Sequence, residues 1–480
     1  MSESAELSLD APVFVNPVYS FMEILPQQGQ TFTLGGSALP AQFKIPQQTV
    51  FNLAESYLEF DLTVGATAAT AGHTTITHVS KWPFDSAVLR AGSTVLGEIQ
   101  DLDIYTKSIV PFTMPLNKYN TRAPVRNSDT IANSMGLNMG CQPLKSSDPN
   151  LLAAAAVADL QLCGRYITTA ATSSGAAPAV ASGQGDESLS RQQVTIGVDN
   201  APQAYKNMLA FGDLSHSIFA LNKNLFFGDS PLELVMTTSI KDKICYTSVN
   251  GAAATPAIGA ANPIVSAGAL TLTNMILYLA VETMPQNIQN IQDKYRSGGL
   301  QIMTPFVNSF KTGLGVGTTA SLNQSISNGH GIALSRIYNV FYNTANSIRT
   351  AACVENVAAS KIQYYQSRLG SKYLQPARVD SAANQDWKYH RAMLEGSALC
   401  SDRSWKINYV LCDNFASSKP AIEWNKEDEE IGGIALSGTS LSYYLQVTKT
   451  AVDQTLNTYA ITSTAFNVSP AGVFRSAQLM

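Results

Sequence analysis

The sequence is poor in charged side chains. Lys, Arg, Asp and Glu together make up 14% of its 480 residues, against roughly 25% in an average soluble protein. A solitary protein with so few charges would have a weakly solvated surface, so the deficit favours a protein whose surface is covered by other subunits. Hydrophobic residues, at 45%, are ample for burying cores. Because the chain is longer than one core usually supports, we expect two domains.

Basic residues are scarce where a genome-binding protein needs them. The net charge is −4, from 31 basic and 35 acidic side chains, and the first Lys or Arg is Lys44. The charged residues before it are all acidic: Glu3, Glu6, Asp10 and Glu23. Binding to nucleic acid gains much of its free energy when Lys and Arg displace condensed counterions. We therefore expect no direct nucleic-acid binding, and an N-terminal arm over residues 1–25 that is not basic.

Cysteine and long apolar runs are limited as well. None of the cysteines forms a Cys-x-x-Cys pair, and they are too sparse for a disulfide scaffold, so we predict reduced core thiols. The start of the chain, MSESAELSLD, lacks the basic and apolar regions of a signal peptide. The apolar stretches are shorter than a membrane span. These features predict synthesis in the cytosol. The six cysteines are Cys141, Cys163, Cys245, Cys353, Cys400 and Cys412.

Strand patterns dominate the chain. Leu58–Val64 alternates apolar and polar residues without a break, as a half-buried strand requires. Trp405–Leu411 and Leu441–Val447 repeat the alternation, and Met275–Val281 is apolar throughout, which predicts a strand buried on both faces. Turn-rich segments such as Phe227–Pro231 lie between them. Many short strands separated by turns indicate an all-β protein built from sandwiches or barrels.

Helical spacing is confined to three short segments. Apolar residues recur at near-helical intervals over Ile99–Ile109 and again over Ala358–Leu369, where Gly370 follows. A third helix is predicted at 286–299, because Pro285 precedes it and a Gly-Gly pair ends it. We interpret this third helix as the linker between two domains.

One segment cannot contribute to a core. From Leu151 to Gly185 the chain is rich in Ala and Ser, and its second half has almost no bulky apolar side chains. A long loop costs only slightly more to close than a short one, so we predict a projecting insertion at about 145–190. The predicted division of the chain is an arm at 1–25, a first domain at 26–285, the linker helix at 286–299 and a second domain at 300–480.

The two predicted domains repeat one order of parts. In the first, the apolar block Ile218–Leu221 is followed by the strand-like Leu232–Val235. In the second, Gly433–Leu436 is followed after a turn by the strand-like Leu441–Leu445. This echo suggests that the two halves share one plan.

The histidines do not form a metal site in the sequence. His73 and His78 flank a four-residue strand-like segment, and residues five apart on a strand point to opposite faces, so they cannot share a metal. His216, His330 and His390 each stand alone, with no ligand at a recognisable spacing.

Two further segments resemble ligand-binding loops only superficially. Gly313–Gly317 is rich in glycine, but a phosphate loop needs a helix and Gly-Lys-Ser/Thr directly after it, so we predict a flexible turn. Glu427–Glu430 is the densest acidic cluster, yet its contiguous run lacks the internal glycine of a calcium loop, which predicts a solvated loop. No nucleophile has a supporting base nearby in sequence. We predict no catalytic, cofactor-binding or metal-binding residues and no enzymatic activity.

The order of parts resembles the double jelly-roll major capsid proteins, the family that includes adenovirus hexon, tectiviral coat proteins and virophage capsids. The resemblance covers roughly residues 26–480. The resemblance implies two consecutive eight-stranded jelly rolls, with a few short helices and long loops, standing side by side and perpendicular to a shell. The portions that carry it are Gln30–Leu34, Phe43–Pro46, Ser56–Phe60, Ala87–Val110, Phe219–Met236 and Met275–Gly299.

The resemblance also implies a role. It implies a structural capsid protein of the virion that trimerises into pseudo-hexagonal capsomers and tiles an icosahedral shell. The implied partners are its own copies, penton and minor capsid proteins, and an internal membrane or a membrane-associated protein. Two alternatives stay open: a single jelly-roll capsid protein with a projecting domain, which usually has a basic arm, and a receptor-binding or fibre protein, which tends to show short internal repeats.

Overall fold

The computed structural model describes residues 17–64, 74–80, 82–109, 143–144, 183–184, 193–197, 203–250, 269–327, 329, 331–343, 362–374, 410–415, 433–436, 441–449 and 453–476. The strands and helices of the first part of the chain follow in this order: β1 (Tyr19–Ile24), β2 (Phe32–Leu34), β3 (Pro40–Ile45), β4 (Phe51–Val64), β5 (Thr74–Ser80), β6 (Phe84–Ala91), β7 (Thr94–Gln100), α1 (Leu102–Ser108), β8 (Pro143–Leu144), β9 (Gly183–Gln184), β10 (Gln193–Gly197), β11 (Gln203–Ala210), β12 (Leu232–Thr238), α2 (Lys241–Ile244), β13 (Cys245–Asn250), β14 (Leu270–Glu282) and α3 (Pro285–Gly298). Two one-turn 3₁₀ helices, Phe211–Asp213 and Ile218–Ala220, lie between β11 and β12.

The strands of the second part are β15 (Leu300–Gly315), β16 (Thr319–Ile326), β17 (Ala333–Asn343), β18 (Ile362–Leu369), β19 (Lys372–Tyr373), β20 (Val410–Asn414), β21 (Ile434–Ala435), β22 (Leu441–Lys449), β23 (Gln454–Ser469) and β24 (Gly472–Ser476).

The main strands of the first part form two antiparallel sheets. One has the order β1-β14-β4-β11, with β2 also paired to β14, and the other has the order β3-β12-β6-β7. When the eight main strands are counted along the chain, these orders read 1-8-3-6 and 2-7-4-5. Two four-stranded sheets with this connectivity are a jelly roll.

The second part repeats this connectivity. Its sheets have the orders β15-β23-β17-β20 and β16-β22-β18-β19, which again read 1-8-3-6 and 2-7-4-5 along the chain. The short strands β21 and β24 add to β17 and β23. The protein is therefore all-β with two consecutive eight-stranded jelly rolls, and the alternative of a single jelly roll with a projecting domain is wrong.

Alternating side chains explain why these strands enclose cores. In β4, Leu58, Phe60 and Leu62 are fully buried, whereas the intervening Glu59 and Asp61 are only partly covered. Phe60 meets Phe84 of the facing sheet edge-on, with ring centroids 5.8 Å apart. Period-two burial of this kind is what a two-sheet sandwich requires.

The sequence prediction for Leu58–Val64 is confirmed, and that for Met275–Val281 is confirmed in part. Met275–Val281 does lie in a strand, β14, but only one of its faces is fully buried. Met275, Leu277 and Leu279 point into the core, while Ile276 and Tyr278 remain half-buried on the other face. That second face is the first roll's outer surface, described below.

The prediction of a helix over Ala358–Leu369 is wrong. Residues 362–369 form the strand β18, which pairs with β22, and Gly370 (φ 59°) lies in the turn to β19. The buried positions are Tyr365, Ser367 and Leu369. Because Ser367 is polar, the sequence does not show an alternation of apolar and polar residues here, and the remaining apolar residues have near-helical spacing.

The other two helices form where the sequence indicated. Helix α1 starts at Leu102, slightly later than predicted, because Ile99 still belongs to β7. Helix α3 has Pro285 in its first turn and ends at Gly298, and it is capped by Gly299, whose φ of 81° suits glycine. It follows the last strand of the first roll and precedes the first strand of the second.

The predicted arm at 1–25 is too long. Residues 19–24 form β1, which pairs with β14 along its whole length and is the first strand of the first roll. Glu23 lies opposite Tyr278 in this ladder, so its charge points to the outer face of the sheet rather than to a free arm. Residues 1–16 lie outside the described residues.

Three connections of the first roll meet outside its two sheets. The strands β5, β10 and β13 come from the connections between main strands three and four, five and six, and seven and eight, and they pair as β10-β5-β13. The predicted insertion at 145–190 lies mostly outside the described residues, but β8 and β9 pair with each other close to its two ends. Among the described residues, no helix is long and apolar enough to cross a membrane.

Candidate assembly surfaces

Asp101 joins the two jelly rolls. It lies between β7 and α1 with a left-handed backbone (φ 48°, ψ 52°), a conformation that Asp adopts more readily than most residues. Its Oδ2 accepts a hydrogen bond of 3.0 Å from Asn457 Nδ2, and its carbonyl accepts one of 3.3 Å from the Tyr459 hydroxyl. Lys311 Nζ lies 3.6 Å from the same Oδ2. The turn at the end of β7 is thereby fixed against β23 and β15 of the second roll.

Aromatic side chains make further contacts between the two jelly rolls. Tyr105 of α1 packs edge-on against Tyr459, with centroids 5.2 Å apart. His216, only 8% exposed, has its Nε2 3.0 Å from the Tyr338 hydroxyl and 3.4 Å from an Arg336 guanidinium nitrogen. Sequence reasoning missed His216 because its partners lie more than a hundred positions away along the chain.

Three carboxylates gather beside the junction. Asp85, Asp101 and Asp103 each place one oxygen within 4.8 Å of the others. Carboxylates this close repel one another, and two lysines offset part of that repulsion: Lys243 Nζ is 3.3 Å from Asp85 Oδ1, and Lys311 approaches Asp101. We interpret the group as part of the junction. The prediction of no metal-binding residues stays a prediction.

The outer face of the first roll's β1-β14-β4-β11 sheet carries an aromatic cluster. Tyr57 stacks on Tyr278 with centroids 4.9 Å apart, and Phe21 meets Tyr57 edge-on at 5.4 Å. Phe21 is 53% exposed, and Met208 on β11 is 54% exposed. Burial, followed by the charge of nearby Glu59, raises the pKa of Tyr57 above its ordinary value, so the phenol stays neutral. We call this surface the outer face.

A second surface lies at the edge of the second roll's β16-β22-β18-β19 sheet. The Arg368 guanidinium lies over the ring of Tyr444 at 4.9 Å and near that of Tyr373 at 6.0 Å. Lys372 and Tyr373 of β19 are exposed. This basic and aromatic surface is called the β18–β19 edge below.

A polar network is enclosed within the second roll. Asp413 Oδ2 accepts hydrogen bonds from Ser367 Oγ at 2.8 Å and from the Tyr443 hydroxyl at 3.1 Å. Asn339 Nδ2 donates to the same hydroxyl at 2.8 Å, and Asn339 Oδ1 accepts from Thr458 Oγ1 at 2.8 Å. Burial, and then the charge of Asp413, raises the pKa of Tyr443 far above its ordinary value. The network ties the two sheets of the roll together.

The candidate residues from the sequence are scattered. The turn predicted for Gly313–Gly317 is confirmed in part: Gly313 and Gly315 still belong to β15, and the chain then turns into β16 without a helix. Cys412 is a half-buried thiol packed against the core of the second roll, as predicted for the cysteines. His78 lies in β5, with only its backbone described. His73, His330, His390 and Glu427–Glu430 lie outside the described residues.

Two jelly rolls of identical strand order in one chain define the double jelly-roll class. Comparison with solved structures agrees. The Faustovirus major capsid protein is similar over 95% of this chain and 91% of its own, with 11% identity and a TM-score of 0.52. The PBCV-1 virus capsid is similar over 98% of this chain and 99% of its own, with 9% identity and a TM-score of 0.51. At such identities the similarity establishes the fold: this chain has the double jelly-roll fold found in viral major capsid proteins. No protein-family model and no curated protein sequence matches the chain.

Proposed function

We propose that this chain is the major capsid protein of an icosahedral virus and that its role is structural. The observation that carries the proposal is the pair of jelly rolls with one strand order, and the similarity of fold to the Faustovirus and PBCV-1 capsid structures along nearly the whole chain supports it. The protein would be made in the host cytosol and would reside in the virion shell.

The subunit would work as a trimer. Two similar rolls per chain give six similar units in three chains, and such a trimer tiles a shell as a pseudo-hexagonal capsomer. Two observations support self-association: the charged fraction of 14% and the exposed aromatic side chains of the outer face. Exposed apolar patches of more than a few hundred Å² commonly mark interaction sites.

The domain plan follows from this role. The two rolls would stand side by side, linked by α3, with the β10-β5-β13 sheet and the insertion at about 145–190 projecting as an outward tower. Penton proteins, minor capsid proteins and an internal membrane or membrane-associated protein are the further partners we propose.

A structural role also accounts for the buried polar residues better than catalysis does. The carboxylate of Asp413 is used in holding Ser367 and Tyr443 inside the second roll. Asp101 is likewise used in holding the two rolls together. A catalytic group must instead reach a substrate proton or carbonyl.

Negative-stain electron microscopy of the purified protein tests the proposal. We expect hexagonal capsomers with three-fold symmetry, alone or tiled into sheets and shells. Elongated fibres would favour the fibre alternative, and small globules at every concentration tested would contradict a coat role.

A further inference from the structure

Each roll carries a tyrosine pair on one sheet. In the second roll, Tyr338 of β17 lies opposite Tyr459 of β23 in the ladder. In the first roll, Tyr57 of β4 lies opposite Tyr278 of β14. Both pairs join the third and eighth main strands of their roll, and both point away from the roll's own core, since side chains alternate along a strand. The two pairs are equivalent by topology.

The pair in the second roll is covered by the first roll. Tyr338 and Tyr459 are 2% and 1% exposed. Their cover comes from the first roll's α1 and the segment before β12, through Tyr105 and His216. An intrachain interface therefore buries this face of the second roll.

The equivalent pair in the first roll lacks such a cover in the described part of the chain. Tyr57 and Tyr278 are half-buried, and Phe21 and Met208 beside them are more than half exposed. The same kind of face is thus buried in one roll and open in the other.

The topology also indicates what would cover the open face. The strand of the first roll nearest the junction is β7, its fifth main strand, and Thr94 Oγ1 of β7 donates a 3.0 Å hydrogen bond to the Val473 carbonyl. The fifth main strand of the second roll is β19, at the β18–β19 edge. That edge of another copy is the equivalent partner.

The charges of the outer face and of the β18–β19 edge are complementary. The outer face includes the carboxylates of Glu23, Glu59 and Asp61, of which Glu59 is paired with Lys206 at 2.6 Å. The β18–β19 edge offers Arg368 and Lys372 beside exposed Tyr373. An acidic aromatic face and a basic aromatic edge attract one another, which favours contact between two different surfaces over contact of the outer face with itself.

We propose, building on the capsid role above, that the outer face is the subunit interface and that its occupant is the β18–β19 edge of a second copy of this chain. The contact joins two different surfaces, so it runs head to tail, and in the proposed trimer it closes into a ring after three copies. In a ring of three chains, the tyrosine pair of each second roll is covered by the first roll of its own chain. The tyrosine pair of each first roll is covered by the second roll of a neighbouring chain.

The test uses two charge-inserting variants and their mixture. The face variant is Phe21→Glu with Tyr278→Glu, and the edge variant is Lys372→Glu with Tyr373→Glu. Sedimentation should show trimers for the unmodified chain and self-association weakened at least about tenfold for each variant, because buried aromatic anchors dominate binding. An equal mixture should form a heterodimer, since the intact edge of one variant fits the intact face of the other.

Controls separate misfolding from lost contact. Phe474→Glu makes the same change at another exposed aromatic, on β24, which belongs to neither surface, and should leave the trimer unchanged. Met208→Glu, on the exposed end of the outer face, provides a milder second variant. At dilutions where the unmodified chain is itself dissociated, the unfolding midpoints of all variants should match that of the unmodified chain.

The outcomes distinguish the inference from the function on which it rests. Trimers that form normally from both variants overturn the inference alone. Variants that each fail to assemble, yet form no heterodimer when mixed, also overturn it. An unmodified chain that stays monomeric would instead contradict the proposed function.

Discussion

At the scale of single residues, Asn339 is central to the enclosed network of the second roll. It is fully buried and uses both ends of its amide, donating to Tyr443 and accepting from Thr458. Asn339→Ala would leave both hydroxyls short of a partner, and a buried polar group without one costs about 1–3 kcal/mol. We expect the free energy of unfolding to fall by that amount in a denaturant titration.

Asn323 provides the matched control for this change. It lies on β16 of the same roll, and its side chain accepts an exposed hydrogen bond from Ser442. Asn323→Ala should change the free energy of unfolding by no more than about 0.5 kcal/mol. Equal losses from the two variants would mean that the enclosed network adds nothing to stability.

Glu282 gives stability a dependence on pH. Burial acts to raise its pKa, but hydrogen bonds from the backbone N–H groups of Met284 and Val18 and from the amides of Asn224 and Asn287 outweigh it, so the pKa lies below its ordinary value. A carboxyl whose pKa is lowered by folding stabilises the protein above its unfolded pKa, roughly 4.3 for Glu. That contribution is lost as the pH falls through the folded pKa.

The prediction concerns the acid side of the stability curve. Glu282→Gln should lower the thermal unfolding midpoint at pH 7. As the pH falls from about 5 to below 4, the midpoint of Glu282→Gln should fall less than that of the unmodified chain. Glu98→Gln makes the same change at a half-exposed residue of β7 and serves as the control variant. Identical acid slopes for Glu282→Gln and the unmodified chain would contradict this role of the carboxylate.

At the scale of elements, the packing of α3 depends on one glycine. Gly228 has a left-handed backbone (φ 58°), and a Cβ there would overlap the phenol of Tyr295 on α3. Tyr295 is itself held edge-on against Phe226, with centroids 5.2 Å apart. Gly228→Ala therefore combines backbone strain with overpacking, which adds about 1–3 kcal/mol.

Gly92 provides a control that separates the backbone strain from the steric overlap with Tyr295. It has the same φ of 58°, but a Cβ there would meet nothing within 4 Å. We expect Gly92→Ala to cost about 1–2 kcal/mol, the strain of a left-handed L-residue, and Gly228→Ala to cost clearly more by calorimetry. If the two variants are equally stable, Tyr295 moves aside freely and α3 is not fixed at this point.

Elements were predictable from the sequence where side-chain burial follows apolar character. Leu58–Val64 was recognised because its inward residues are all apolar, and α3 because Pro285 and Gly299 mark its ends. Residues 362–369 have the apolar spacing of a helix because Ser367, which is buried through its bond to Asp413, interrupts the apolar alternation. A partner distant in sequence satisfies this serine, so no local pattern could reveal it.

At the scale of the whole molecule, the two halves have the same strand order, and part of this correspondence is predictable from the sequence. Leu232–Val235 and Leu441–Leu445, which the sequence paired, lie in β12 and β22, the seventh main strand of each roll. The surfaces between the rolls were not predictable. Asp101 of the first roll bonds to Tyr459 of the second, and His216 of the first bonds to Tyr338 of the second, across more than a hundred positions of sequence. Each of these residues is unremarkable among its sequence neighbours.

The distribution of charge over the molecule leads to the last prediction, which concerns the genome. We expect that the folded protein does not bind DNA or RNA appreciably at physiological salt, because contact with about 6–10 phosphates requires clustered Lys and Arg. Basic residues are outnumbered 35 to 31 by acidic ones, and Met1–Phe43 has none. Several cations are already occupied, as Lys206 is by Glu59 and Arg90 is by Glu233.

Filter binding at low and then physiological salt measures this directly. Weak retention that disappears as salt rises is the expected result, and deletion of residues 1–16 should not change it. Tight binding whose affinity falls steeply with salt, and which is lost when those residues are removed, would contradict the prediction and indicate a coat protein that packages its genome through the N-terminus. The acidic residues Glu3, Glu6 and Asp10 argue against that outcome, because their charge would repel the phosphate backbone.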